Sequence, residues 1–284
     1  MIEELAIPVL QGRKTEREKF AGAEISWSCE GLMRDGKALQ MGTSHELGQN
    51  FARAFNIQFS DRDGHLRHVW QTSWGVSTRL LGAMIMVHGD DHGLRVPPRL
   101  APTQVVVLVA RAGEGVIEAA TTLVAELERA GVRVELDDAV DVSLGRRIVD
   151  HELRGVPLRI ELGPRDLMAN QGVVARRARA EKETIGLQEV ASEIPRMLVA
   201  DQRELLAQAT SLRDARTRSA RTIDEARELA SEGFARLPWR GCGREGEDHL
   251  TQAGVSVRCL LREDGEPVDD PDADGVDALV ARAY

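Results

Sequence analysis

The chain has little of what marks a secreted, membrane or metal-clustered protein. It holds three cysteines, Cys29, Cys242 and Cys259. Their odd number and wide spacing leave no disulfide framework. Two isolated cysteines in the C-terminal part, with no C-x-x-C after Cys259, do not make a four-ligand site. No structural zinc is therefore expected. No run approaches the ~20 apolar residues of a membrane span. The opening MIEELAIPVLQGRK lacks the basic start and long apolar stretch of a secretion signal. A cytoplasmic protein with no membrane partner is expected. Lysine is scarce, four residues, so arginine carries nearly all the positive charge. A net charge of −9 argues against general nucleic-acid affinity and against DNA as a partner. Local charge still decides RNA binding.

What is present is ordinary for a globular chain: 42% hydrophobic and 29% charged residues over 284 positions, enough for two or three domains. The proline-rich LRVPPRLAP (94–102) punctuates it. After it, TQVVVLVA (103–110) is a continuous apolar, β-branched run suited to a buried parallel strand. A helix over 114–130 closed by Gly131, a strand VRVELDD, a helix SLGRRIVDHELRG ending at Gly155 and a strand PLRIELGP follow. This βαβαβ alternation predicts a compact α/β domain with a parallel or mixed sheet. Charge is lopsided. Nine bases face five acids between Arg146 and Lys182, whereas Glu263 to Asp277 holds eight acids and no base. From Pro195 to Ala235 the pattern is helical, and a heptad through Leu198, Leu205 and Leu212 fades afterwards. That predicts a long bridging helix rather than a coiled coil.

The chemistry concentrates in residues 37–99. Gln40, Thr43, Ser44 and His45 surround Gly42, with Leu47, Phe51, Ala54 and Phe55 behind them at helical spacing. The spacing predicts that the TSH triplet opens a helix. Leu66, His68, Trp70, Thr72 and Trp74 then alternate as a strand face, on which tryptophans are most often core. The chain turns through Gly75 into an apolar helix whose first turn carries Ser77, Thr78 and Arg79. Free N–H groups at a helix start attract an anion, and an arginine is disfavoured there unless an anion is near. The two element starts together predict a floor for a phosphate-bearing ligand. HGDDH (88–92) offers nitrogen and oxygen ligands, but adjacent aspartates rarely converge. It reads as a charged loop and not a metal site.

The order of these blocks resembles the catalytic part of prolyl-tRNA synthetases, class II aminoacyl-tRNA synthetases of the archaeal and eukaryotic-like type. The resemblance runs from LAIPVLQGRKTEREKFAGA (5–23) through the TSH segment and SWGVSTR, that family's motif 3, to the final ARAY. It implies ATP with Mg2+ as cofactors, and proline and its tRNA as partners. Arg79 would hold ATP phosphate and, with His45, act in catalysis, while Ser77 lies beside the nucleotide. Gln40 and Thr43 would line the adenylate and the path of the tRNA 3′ end. Phe20, His45, Ser73, Trp74 and Gly75 would shape the proline pocket. GRRIVDHELRGVPLRIELGPRDL is similar to the anticodon-binding domain of the family, which makes Arg147, Glu152 and Arg159 the expected tRNA contacts. The implied fold class is α/β: an α+β part of the catalytic domain (1–102), an α/β anticodon-binding domain (103–195), and a linker helix with a small α/β C-terminal domain (196–284). Motifs 1 and 2 of the family would lie upstream of LAIP. The resemblance thus covers the C-terminal part of a synthetase, and half of the adenylate site would lie outside it. From that follow weak activity for this stretch alone and loss of the family's homodimer. The alternative is a truncated, non-catalytic tRNA-binding or synthetase-interacting relative.

Overall fold

A computed structural model describes all 284 residues. The first third contains α1 (Ile2–Leu5), β1 (Val9–Arg13), β2 (Ile25–Leu32), β3 (Ala38–Gly48), α2 (Asn50–Ala54), β4 (Gln58–Ser60), β5 (Leu66–His68), β6 (Gln71–Gly75) and α3 (Arg79–His88). The middle contains β7 (Val105–Val109), α4 (Val116–Arg129), β8 (Val134–Asp137), α5 (Leu144–Arg154), β9 (Leu158–Leu162), α6 (Pro164–Met168), β10 (Gln171–Arg176) and β11 (Lys182–Gly186). The rest contains α7 (Val190–Ala215), β12 (Thr217–Ser219), α8 (Ile223–Leu229), β13 (Phe234–Pro238), α9 (Trp239–Gln252), β14 (Ser256–Arg262) and β15 (Val276–Ala281). The α/β class expected from the sequence is the class observed.

The chain forms two compact units, Met1–Ile7 with Met84–Ala209, and Pro8–Ala83 with Thr210–Tyr284. The first contains the βαβαβ alternation expected over 103–195, but extends beyond those bounds to Met1–Ile7 and to Met84–Ala209. Its sheet runs β11-β10-β9-β7-β8, with β7, β8 and β9 parallel and β10 and β11 antiparallel. All five residues of β7 and of β9 are buried; β7 is apolar throughout, as a strand covered on both faces requires, while β9 also buries Arg159 and Glu161, which pair with each other. α4 lays Val116, Ala120, Leu123 and Leu127 on that sheet. α5 ends as the sequence indicates, with Gly155 at φ 74°. A left-handed residue closes a helix best as glycine, and here Leu94 leaves no room for a side chain.

The second unit departs from the expected division. Its eight-stranded sheet runs β12-β13-β15-β14-β1-β2-β3-β6. The C-terminal strands have no sheet of their own, because β14 pairs antiparallel with β1, Arg13 opposite Leu260. Residues 196–284 are therefore not a separate domain: α7 begins in one unit and the strands after it complete the other. A buried ion network fastens this join. Glu30 of β2 is fully buried, with Oε1 accepting from Lys14 Nζ at 3.1 Å and Oε2 from Arg258 Nε at 3.0 Å.

Candidate functional site

The TSH segment is strand and not a helix start. Thr43, Ser44 and His45 lie inside β3, and the short helix α2 follows only at Asn50. Helical spacing of the residues behind misled because β3 is held on both sides by distant strands. Ser28 pairs with Thr43 and Ser26 with His45 on one side; Gly75 and Ser73 pair with the same two residues on the other. Paired residues of adjacent strands point to the same face and neighbours alternate. Ser26, Ser28, Thr43, His45, Ser73 and Gly75 therefore share one face.

Gln40 would point the other way in a regular strand. The register slips between Cys29 and Glu30, so that Gly42 faces Cys29 and Gln40 faces Glu30. The extra residue, Met41, is buried. This bulge returns Gln40 to the face of Thr43 and His45, the re-aiming that bulges perform. Trp74 does not join them. It pairs with Ser44 on the opposite face and is 79% exposed. Trp70 is 74% exposed, against the expectation of a core tryptophan. The alternation proposed from Leu66 to Trp74 breaks between β5 and β6.

His45 is held in a defined way. Its Nδ1 lies 2.8 Å from Ser26 Oγ, and the Phe20 backbone N–H donates to the same oxygen at 3.1 Å. That oxygen can accept twice and donate once, so its role toward Nδ1 follows the imidazole tautomer. Burial lowers the His45 pKa, which favours the neutral ring. The Phe20 ring stands 4.9 Å from the imidazole, tilted by 37°. Beside Gly75 the space is open. Ser26 went unnoticed in the sequence, although ISWSCE alternates polar residues on a face that proves buried at Ser26, Ser28 and Glu30.

Ser77 and Thr78 stand just ahead of α3 and not in its first turn, which Arg79 opens. α3 begins at Arg79, whose N–H donates to Ser77 Oγ at 3.3 Å. Both side chains are exposed. A guanidinium at the start of a ten-residue helix suits an anion, and it follows directly on the strand that carries Ser73 and Gly75.

The expected tRNA contacts divide. Arg147 is buried: its Nε donates to Asp137 Oδ1 at 2.9 Å, and Nη1 to the Val109 carbonyl at 3.0 Å. Its fork is consumed in tying α5 to β7 and β8, with His151 Nε2 2.8 Å from the other Asp137 oxygen. Burial would raise the Asp137 pKa, but these bonds hold it low. Glu152 and Arg159 do come together, Nη1 to Oε1 at 3.4 Å, and Arg159 Nε donates to Glu161 at 2.9 Å. Glu152 is partly open to solvent. HGDDH forms a charged loop in which Asp90 binds Arg177 and His88 Nε2 lies 2.8 Å from the Leu5 carbonyl.

Residues 104–197 match the family model of the anticodon binding domain. The chain is 52% identical over its whole length to a proline-tRNA ligase of Frankia casuarinae, covering 61% of that protein. Over 99% of its length it is 53% identical to proline-tRNA ligase 2 of Streptomyces avermitilis, covering 60%. From end to end the chain is similar to proline-tRNA ligases. It spans about 60% of the length of these curated relatives. Prolyl-tRNA synthetase of Cryptosporidium parvum, solved with L-proline and AMP, superimposes with a TM-score of 0.89 at 33% identity. That match covers 100% of this chain and 63% of the other. The same enzyme complexed with halofuginone and AMPPNP matches equally, at 61% of its chain. No helix is long and apolar enough to cross a membrane.

Proposed function

We propose that the chain carries the motif 3 side of a proline-tRNA ligase together with its anticodon reader. The observation that carries this reading is His45, held by Ser26 beside the Phe20 ring on the face shared with Gln40, Thr43 and Ser73, in a chain so similar to ligases of that name. The names of these relatives favour a ligase over a non-catalytic relative.

The reaction joins the proline carboxylate to the α-phosphate of ATP, releasing pyrophosphate. It then moves the prolyl group to the tRNA 3′ end, releasing AMP. A prolyl ring offers no polar handle, so an aromatic, shape-fitting wall must select it; Phe20 provides one. His45, fixed through Nδ1 by Ser26, presents Nε2 as the donor to a carboxylate or phosphate oxygen. Arg79 neutralises phosphate charge, beside Ser77. Gln40 and Thr43 line the adenylate. Such catalysis is positioning and charge stabilisation. Mg2+ would neutralise the triphosphate. The side chains on this face do not suit it, since their one carboxylate, Glu30, is locked between Lys14 and Arg258. The group of Asp61, Asp63 and His65 belongs to the turn between β4 and β5. No step here runs through the ion. At the other unit, Glu152 accepts from base N–H groups of the anticodon and Arg159 orients it; Arg147 has no part in this.

The test is binding of a non-hydrolysable prolyl-adenylate analogue by calorimetry. Saturable binding should weaken about 10–100-fold in His45→Ala, the value of one hydrogen bond to a charged group. Equal affinity for the alanyl analogue, or no effect of the substitution, refutes the pocket.

A further inference from the structure

The sequence has two arginine-rich stretches, and folding treats them differently. Within 146–182 the bases meet carboxylates, several from outside the stretch. Arg147 binds Asp137, Arg154 binds Glu135, Arg176 binds Asp201, Arg177 binds Asp90, Arg179 binds Glu204 and Lys182 binds Glu161. The charge excess read from the sequence is largely cancelled there. The second stretch, Arg213 to Arg221, holds four arginines and one acid. It includes β12, the edge strand of the eight-stranded sheet.

Two other segments bring further cations to that edge. Arg216 Nη1 donates to the Arg34 carbonyl at 2.7 Å. Gly36, at φ 87°, packs so tightly that a Cβ would stand 2.6 Å from the Glu232 carbonyl oxygen. Arg282 N–H donates to the Ala230 carbonyl at 3.3 Å, and its own carbonyl accepts from Ala38 at 2.7 Å. Three chain segments are thus fastened into one surface by a side-chain bond, a close backbone approach and the backbone bonds of Arg282. Arg213 pairs with Asp214 and Arg218 with Glu232; Lys37 pairs with Asp35. Arg34, Arg218, Arg221 and Arg282 are exposed. On a chain of net charge −9 such a local cationic edge is a directed feature, and an arginine fork matches a phosphate bidentately.

We infer that Arg34, Arg216, Arg218, Arg221 and Arg282 form a sequence-independent binding surface for the phosphodiester backbone of RNA. The choice of tRNA as that RNA rests on the proposed function, but the contact differs in kind from the one at Glu152 and Arg159. An anticodon reader discriminates bases; a phosphate surface sets affinity and salt dependence without discriminating.

The experiment measures binding of the full chain to proline tRNA, to the same tRNA with its anticodon replaced, and to an unrelated tRNA, at several salt concentrations. The variant Arg218→Glu/Arg221→Glu/Arg282→Glu changes exposed side chains and should keep the parent melting profile. It should bind all three RNAs about 10–100-fold more weakly at 0.1 M salt, a concentration chosen for its roughly 10 Å screening length. The slope of log affinity against log salt should flatten by about two to three, close to one per lost phosphate contact. The lysine counterpart should retain most of the slope. Glu152→Gln should instead change only the preference between the two anticodons, so failure of that reading would show separately. An unchanged slope overturns the inference, as does a loss confined to proline tRNA. Sedimentation showing that these arginines hold the acidic 263–277 stretch of a second copy overturns it too.

Discussion

Glu30 offers the sharpest test of how the second unit is held. Its carboxylate is fully buried between two cations, Lys14 from the end of β1 and Arg258 from β14. Lys14 Nζ also donates to the Arg258 carbonyl at 2.6 Å. Glu30→Gln keeps the volume and removes the charge, leaving two cations to face each other without an anion. Breaking a buried pair from one side costs about 3–5 kcal/mol, most of it the uncompensated charge. With a urea m-value of about 2–3 kcal/mol/M for unfolding at this size, the midpoint should fall by about 1–2.5 M. The loss belongs to the unit of Pro8–Ala83 and Thr210–Tyr284. Hydrogen exchange should therefore show reduced protection in β1, β2 and β14 and unchanged protection in β7 and β9. A triple change Lys14→Met/Glu30→Leu/Arg258→Met should recover most of the stability, because no lone charge remains. A midpoint shift below about 0.3 M for Glu30→Gln at constant m-value would refute the clamp.

Further expectations follow from other buried groups. Burial raises the pKa of Glu247, whose Oε1 accepts from Thr15 Oγ1 at 2.6 Å, above its ordinary 4.5. A raised folded-state pKa gives stability that is full below the unfolded value and is lost as pH rises through the folded one. Glu247→Gln should flatten that decline in melts taken from pH 4 towards neutrality; a parallel curve would show the acid to be fully solvated. Burial pushes Cys242 up to about 11 and Cys259 up to about 12. At pH 8 only about one Cys242 in a thousand is then a thiolate, so native alkylation followed by mass spectrometry should label the half-buried Cys29 first. Arg147→Met should destabilise the α/β unit by about 3 kcal/mol and leave anticodon preference unchanged; a changed preference would return Arg147 to the RNA surface.

Sequence alone determined the elements whose causes are local. VVVLV is apolar at every position and becomes a strand buried at every position. Gly155 ends α5 because only glycine suits the left-handed turn there. The start of α3 at Arg79 is legible in the same way, since hydroxyls before an apolar run mark a helix start. The resemblance to prolyl-tRNA synthetases also stood in the sequence, carried by long unbroken motifs. Tertiary structure decided what depends on pairing between distant strands. GTSHELG is strand because β2 and β6 hold it on both sides, whatever its own spacing suggests. One extra residue at Met41 puts Gln40 with His45, and simple alternation puts Trp74 on the far face. Neither is visible until the register is known. Charge behaved likewise. The stretch richest in bases is neutralised by Asp90, Asp137, Asp201 and Glu204, which folding brings from elsewhere. Local propensity is a property of neighbours in the chain, whereas register and ion pairing belong to neighbours in space.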